Sequence, residues 1–306
     1  MPWVLQIEGR AHRVADSGPY TVWMILSPAT LFSSATLVAA GAYVLAALWP
    51  RPATPVPDDR ADVVPQVHQA PKADAAWWLL ALGWLAQAVA IATDGLDWQH
   101  QPLLARFGFG PALSVTTWLV LGVYALERLQ LDSLVARRTL AAIAAGSVML
   151  AAAFPGQVHP TQHALAPIHW LLGLASYGLF GAALLHAAFL TLAERRMKRR
   201  LPPAGIPLLR LESLTLKFVW AGFVVLSATL VLGYLFAQPW RWDHKSVLSV
   251  LSWLVFATLL AGRHWMGWRG RTAVNWLYAG SALLLLAYVG SRFVFEVLLH
   301  RAPGSH

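Results

Sequence analysis

Between Trp240 and Lys245 the chain places two tryptophans, an arginine, an aspartate, a histidine and a lysine in six consecutive positions. Each type has work at a site that grips a flat, charged molecule. Indole rings offer apolar faces for stacking, as aromatic pairs do. The imidazole of His244 is the common kind of axial ligand for haem iron. Arg241 and Lys245 can pair with propionates through charge-assisted hydrogen bonds, and Asp243 can orient a ligating imidazole through its second ring nitrogen. Upstream, His169 opens another long apolar stretch and is a second candidate iron ligand.

A plainer reading stands beside each of these. Trp240 and Trp242 serve equally well as anchors at a membrane surface, where tryptophan is enriched. His100, His159 and His163 read as solvated imidazoles. His186 falls inside an apolar segment, where an ionisable group is a functional candidate, although a hydrogen bond within a bundle would also account for it. Arg292 and Glu296 are four apart and would pair on one helix. A propionate contact for Arg292 is the sharper alternative. The basic run Arg195–Arg200 is most simply a signal of orientation.

The elements that must position these residues follow from composition. Of 306 residues, 58% are hydrophobic and 12% charged, and mean hydropathy is +0.54. Soluble domains carry about 25% charged residues, so water is not the main solvent. An outer-membrane barrel would show short alternating segments. The class is therefore all-α: a polytopic helical membrane protein. The chain has no cysteine and eleven histidines. That excludes disulfides, thiolate metal sites and covalent haem attachment through its own thiols. The net charge of +9 is taken as orientation in a membrane, with lipid rather than nucleic acid as partner.

Eight apolar segments approach the length of about 20 residues that a helix needs to span. They run Val22–Leu48, Ala75–Ala92, Ala112–Leu129, Thr139–Phe154, Pro167–Leu192, Leu214–Phe236, Val247–Gly262 and Ala273–Leu299, the fourth and seventh being short. Gly173, Ser176, Gly178 and Gly181 suit close helix approach in lipid. Residues 1–21 form a polar leader without a signal-peptide core, and Met24 is an alternative start. Residues 50–74 hold six prolines and read as an extended cytoplasmic linker. The expectation is a single integral membrane domain over 1–306. With both termini outside, sixteen of 23 Lys and Arg fall in cytoplasmic loops, as orientation requires. Most histidines, His169, His244 and His300 among them, then fall at the outer face.

No outward Ser/His/Asp set, phosphate loop or HExxH is present, and Gly108-Phe109-Gly110 lacks a strand–helix context for nucleotide binding. A self-contained enzyme is not expected. A small-solute or ion transporter is a rival, but few charges fall at mid-membrane depth, where transporters bind cargo. A membrane scaffold or regulator without a cofactor is a second rival.

The sequence also resembles a known family. Trp240-Arg-Trp-Asp-His-Lys, Leu251-Ser-Trp-Leu-Val-Phe-Ala, Gly267-Trp-Arg-Gly-Arg and Ala287-Tyr-Val-Gly are similar to the C-terminal part of the cytochrome c assembly family, the CcsA/CcmC/CcmF-type haem-handling membrane proteins. Ile168-His-Trp with Ser176-Tyr-Gly-Leu-Phe resembles the family helix that opens with a haem-ligating histidine. The resemblance covers residues 168–299, and the eight-span layout with the His-Lys form of the motif is most similar to the YpjD-type inner-membrane branch.

The resemblance implies a bacterial inner-membrane protein that holds haem b non-covalently at the outer face for cytochrome c biogenesis. Its partners would be apocytochrome c and other assembly subunits, and it would be at most an accessory part of a haem lyase. It places His169 on the first outer histidine, and Trp240, Trp242, Asp243 and Lys245 on the tryptophan-rich motif. The chain departs from the pattern where the motif's first Trp falls on Phe236, its Pro on His244 and its Glu on Ser246. The intramembrane His falls on Ala261 and the last outer His on Leu299, next to His300. One residue rotates a helical side chain by about 100°. That leaves His169 with His244 or His300 as the axial pair implied.

Overall fold

In the computed structural model, residues 28–50, 75–97, 104–127, 134–160, 166–200, 207–236 and 242–294 are described. Eight helices run through them, as the eight apolar segments predict: α1 Pro28–Leu48, α2 Ala75–Gly95, α3 Phe109–Leu126, α4 Leu134–Ala153, α5 Ala166–Lys198, α6 Leu208–Phe236, α7 His244–Trp265 and α8 Arg271–Leu285. Beyond Leu285, α8 continues through a π-helical turn, Leu286–Gly290, into Ser291–Phe293. Seven helices are long and apolar enough to cross a membrane, and Ser34–Leu48 of α1 forms a shorter apolar helix. The leader and the proline-rich linker lie outside the described residues, apart from Pro50.

Hydropathy placed helix centres better than helix ends. The fourth helix begins at Leu134 rather than Thr139 because Arg137 and Arg138 are helical: Arg137 is buried, and Arg138 donates to the carbonyl of Trp49 at 2.9 Å. The seventh begins at His244 because Asp243 caps it, its Oδ1 accepting the Ser246 N–H at 2.7 Å. Such a cap defines a start that an apolar window does not see. Helix α5 has 33 residues, about 50 Å at 1.5 Å per residue, and extends past the hydrocarbon thickness of about 30 Å. Its excess carries the basic run from Arg195.

A small addition to the all-helical expectation caps one end. Three short strands, β1 Leu96–Asp97, β2 Leu104–Phe107 and β3 Gln157–Pro160, pair antiparallel in the order β1-β2-β3. They join the α2–α3 connection to the α4–α5 connection, with Phe107 opposite Gln157 and Leu104 opposite Pro160. Residues 108–110 therefore do join a strand to a helix, contrary to the sequence expectation. Gly110 is buried against the backbone of Ala151 in α4, so the junction is a packing contact and no phosphate cradle.

Lipid tails are as apolar as leucine, so close packing and hydrogen bonds hold the helices together. Alanines do this between α1 and α4, where Ala39, Ala46, Ala141 and Ala144 are fully buried in the same core cluster as Tyr43. The Tyr43 hydroxyl donates to Gln87 Oε1 at 2.7 Å, and Gln87 Nε2 donates to Ser114 O at 3.0 Å. Thr117 and Ser147 share a hydroxyl hydrogen bond at 2.6 Å. These bonds connect α1, α2, α3 and α4 in one buried network. Trp84 and Trp118 stack at 4.7 Å, and each indole N–H donates to the other's carbonyl.

The Leu251–Ala257 segment is the hub of the other half. Ser252 donates to Gly280 O of α8 at 2.9 Å, Trp253 to Ser227 Oγ of α6 at 2.8 Å, and Phe256 stacks on Phe180 of α5 at 3.8 Å. Helix α3 joins the halves. A Cβ on Gly178 or Gly181 of α5 would come within 2.6 Å of Leu119 or Val120, so the small residues noted in the sequence do permit close approach.

Candidate functional site

The site lies at the end of the bundle where α5 and α7 begin and α6 and α8 end. His169 sits in the first turn of α5, half-buried. Helix α6 passes close to the ring: a Cβ on Gly233 would stand 3.1 Å from His169 Cε1. Glycine at that position makes room for the imidazole. The last turns of α8 complete the wall, where Leu284, Tyr288 and Arg292 face the same hollow across the π-helical turn. Such turns occur frequently at functional sites. The Tyr177 hydroxyl of α5 donates to the Leu284 carbonyl and ties the two helices together there.

The hollow is a cleft of about 330 Å³ whose wall includes His169, Trp170, Tyr177, Asp243, Lys245, Tyr288 and Arg292 above an apolar floor of Leu174, Leu226 and Leu230. That volume falls in the range of small-molecule sites, ~300–1,000 Å³. Two cations stand close to one ring: Lys245 Nζ lies 5.3 Å and Arg292 Cζ 5.8 Å from the Tyr288 centroid. Both distances suit cation–π contact. Tyr177 meets the Tyr288 ring edge-on at 6.5 Å. A wall that pairs two cations and an imidazole with aromatic faces can hold a flat anion.

Of the residues singled out in the sequence, His169, Asp243, Lys245 and Arg292 are brought together in this cleft. His244 and Trp242 are not in its wall. Both are exposed, Trp242 at 69%. The reason is rotational: with α7 capped at Asp243, residues 245, 246 and 249 face the cleft, and residue 244 lies about 100° round the helix from 245. Asp243 uses one carboxylate oxygen as the cap, where the sequence reading had it orienting a histidine. Trp240, Arg241, Glu296 and His300 lie outside the described residues. Sequence reasoning gave no site role to Tyr288, Tyr177, Trp170 or Gly233. For Trp170, Tyr177 and Gly233 the signal was spacing: 169, 170, 173, 174 and 177 share one helical face, as do 226, 229, 230 and 233.

Among the described residues, the Lys and Arg at the cleft end are Arg106, Lys245 and Arg292, and every other one lies toward the opposite end. The positive-inside rule therefore puts the cleft on the outer side of the membrane.

A family model described as "Cytochrome C assembly protein" matches residues 109–299, more than half of the chain. The chain belongs to the cytochrome c assembly protein family. The match begins at the first residue of α3, two helices before the segment whose motifs resemble the family, so α3 to α8 form the family region and α1 and α2 precede it. Inner membrane protein YpjD of Escherichia coli is 32% identical over 137 residues, 43% of this chain and 52% of that protein. Cytochrome c biogenesis protein CcsA of Prochlorococcus marinus is 31% identical over 86 residues, 26% of this chain and 27% of that protein. An Azospirillum brasilense protein of 28.8 kDa is 33% identical over 141 residues, 43% of this chain and 52% of that protein. The chain thus spans about half the length of the first curated relatives it matches. No solved structure matches it. With its apolar helices and its similarity to an inner-membrane protein, this member of the cytochrome c assembly family is a multi-pass protein of the bacterial inner membrane.

Proposed function

We propose that the chain serves cytochrome c biogenesis by holding haem b non-covalently in the outer cleft. One observation carries this reading: a single cleft groups the imidazole of His169 with two cations, Lys245 and Arg292, that both stand close to the Tyr288 ring. Haem combines an iron that takes imidazole with two propionates that take cations, and the donor set fits both. His169 would supply the axial nitrogen, Gly233 the space beside it, and Lys245 and Arg292 the propionate contacts. Trp170, Tyr177 and Tyr288 would face the macrocycle and keep water from it. Bound haem would supply the prosthetic group destined for apocytochrome c, and other assembly subunits would be the chain's partners. Trp240, Trp242 and His300 remain part of the proposal as haem contacts, as the resemblance implies for the tryptophan-rich loop and the flanking outer histidines.

The test is an optical one. The protein, purified in mild detergent and supplied with haemin, is expected to show a Soret band. His169→Ala should abolish it, while His244→Ala, outside the cleft wall, should keep most of it. A protein that stays colourless with added haemin is a scaffold that kept the fold. A band lost with His244→Ala and kept with His169→Ala would move the site out of the cleft.

A further inference from the structure

A second hollow opens at the opposite, basic end of the bundle, between α6 and the α7–α8 connection. Its volume is about 480 Å³. Helix α6 supplies Glu212, Lys217 and Trp220, α7 supplies Arg263, and the connection supplies Arg269. Three cations therefore face one carboxylate. That carboxylate is already engaged: Arg263 Nη1 donates to Glu212 Oε1 at 2.7 Å and to the Trp268 carbonyl at 3.0 Å. Trp268, in turn, stacks on Trp276 at 5.4 Å, which fixes the connection that carries Arg269. Among the described residues no carboxylate pairs with Lys217 or Arg269, and both are exposed.

The apolar part of the hollow is ordered along the membrane normal. Trp220 follows Lys217 by three residues, about 4.5 Å further along the helix axis toward the bilayer core. It is 56% exposed, and Leu209 at the rim is 75% exposed. Leu216 lines the floor. Cations at the mouth, an apolar face beneath and an opening toward lipid match the layout of a phospholipid, with its phosphate outermost and its acyl chains below. Basic pockets between membrane helices at the cytoplasmic side bind anionic head groups for this reason. A free phosphate would gain nothing from Trp220 or Leu216.

We propose that this hollow is a binding site for one anionic phospholipid, its phosphate held between Lys217 and Arg269 and an acyl chain lying along Leu216 and Trp220. The test uses the full chain, delipidated in detergent and titrated with phosphatidylglycerol or phosphatidylcholine, with retained lipid counted by native mass spectrometry. Phosphatidylglycerol should be retained in preference to phosphatidylcholine. Lys217→Gln with Arg269→Gln should weaken it by about 30-fold, on the scale expected for two interfacial cations. Lys198→Gln with Arg199→Gln, which removes the same charge from the same end outside the hollow, should leave retention unchanged. On the unaltered protein, a diazirine-bearing phosphatidylglycerol should crosslink to the peptide containing Trp220. Equal retention of the two lipids, equal loss in both double variants, or displacement of the lipid by millimolar inorganic phosphate would each overturn the site.

Discussion

His186 meets two acceptors at once. Its ring is fully buried and lies 5.1 Å from Phe218. Nδ1 lies 2.7 Å from the Ala182 carbonyl, which can only accept, so Nδ1 carries a hydrogen and donates it. Nε2 lies 2.5 Å from Glu127 Oε2, and one proton between them satisfies both atoms. The sequence reading of His186 as a hydrogen bonder inside the bundle holds, and the partner is Glu127 at the end of α3. Glu127→Ala would leave a buried imidazole nitrogen without a partner, a loss of roughly 1–3 kcal/mol. The thermal midpoint in detergent should fall, and Glu127→Gln, whose amide can still bond Nε2, should recover most of it. Equal midpoints for Glu127→Ala and the unaltered protein would show that the pair is dispensable.

Helix ends, more than helix faces, set the geometry of the cleft. Asp243 starts α7 and thereby fixes the rotation that places Lys245 and Ser246 in the cleft wall and His244 out of it. Losing such a cap costs about 1 kcal/mol, taken from the first turn alone. Asp243→Ala should therefore speed amide hydrogen exchange across residues 244–248 and weaken haemin uptake, while the centre of α7 stays protected. Asparagine caps as well as aspartate, so Asp243→Asn should behave like the unaltered protein. If Asp243→Asn loses haemin uptake as Asp243→Ala does, the carboxylate acts by its charge instead. On the other side of the cleft, the π-helical turn of α8 and the Tyr177 bond to Leu284 set where Tyr288 and Arg292 stand.

At the scale of the whole molecule, two four-helix halves divide the labour. The first half is tied together by the Tyr43–Gln87–Ser114 network and the reciprocal Trp84–Trp118 pair. The second builds most of the cleft, and α3 of the first half packs against α5 of the second. The ends differ in charge: the cleft end is poor in Lys and Arg and the other end rich. The absence of native cysteine makes this asymmetry directly measurable. In intact cells a membrane-impermeant maleimide added from outside should label Trp242→Cys, and should reach Lys198→Cys only after lysis. The reverse pattern would invert the topology and put the cleft on the cytosolic side.

The sequence by itself determined that the chain crosses a membrane as helices and roughly where. In lipid every backbone N–H and C=O must be satisfied within its own segment, and bilayer thickness sets the segment length, so eight apolar runs became eight helices. It also singled out His169, Lys245 and Arg292, and it carried the uneven distribution of Lys and Arg from which their side of the membrane is inferred. Apolar length could not tell where α4 and α7 begin, because buried Arg137 and the Asp243 cap decide those ends. Pairing of β1, β2 and β3 brings together loops about fifty residues apart, and strands of two to four residues leave no periodic trace. Only the tertiary structure decided that Lys245 lines the cleft while its neighbour His244 does not, and that Gly233 and Tyr288 join His169. A helix in lipid is free to rotate about its axis until small residues, caps and interhelical hydrogen bonds lock it, and those contacts come from distant segments.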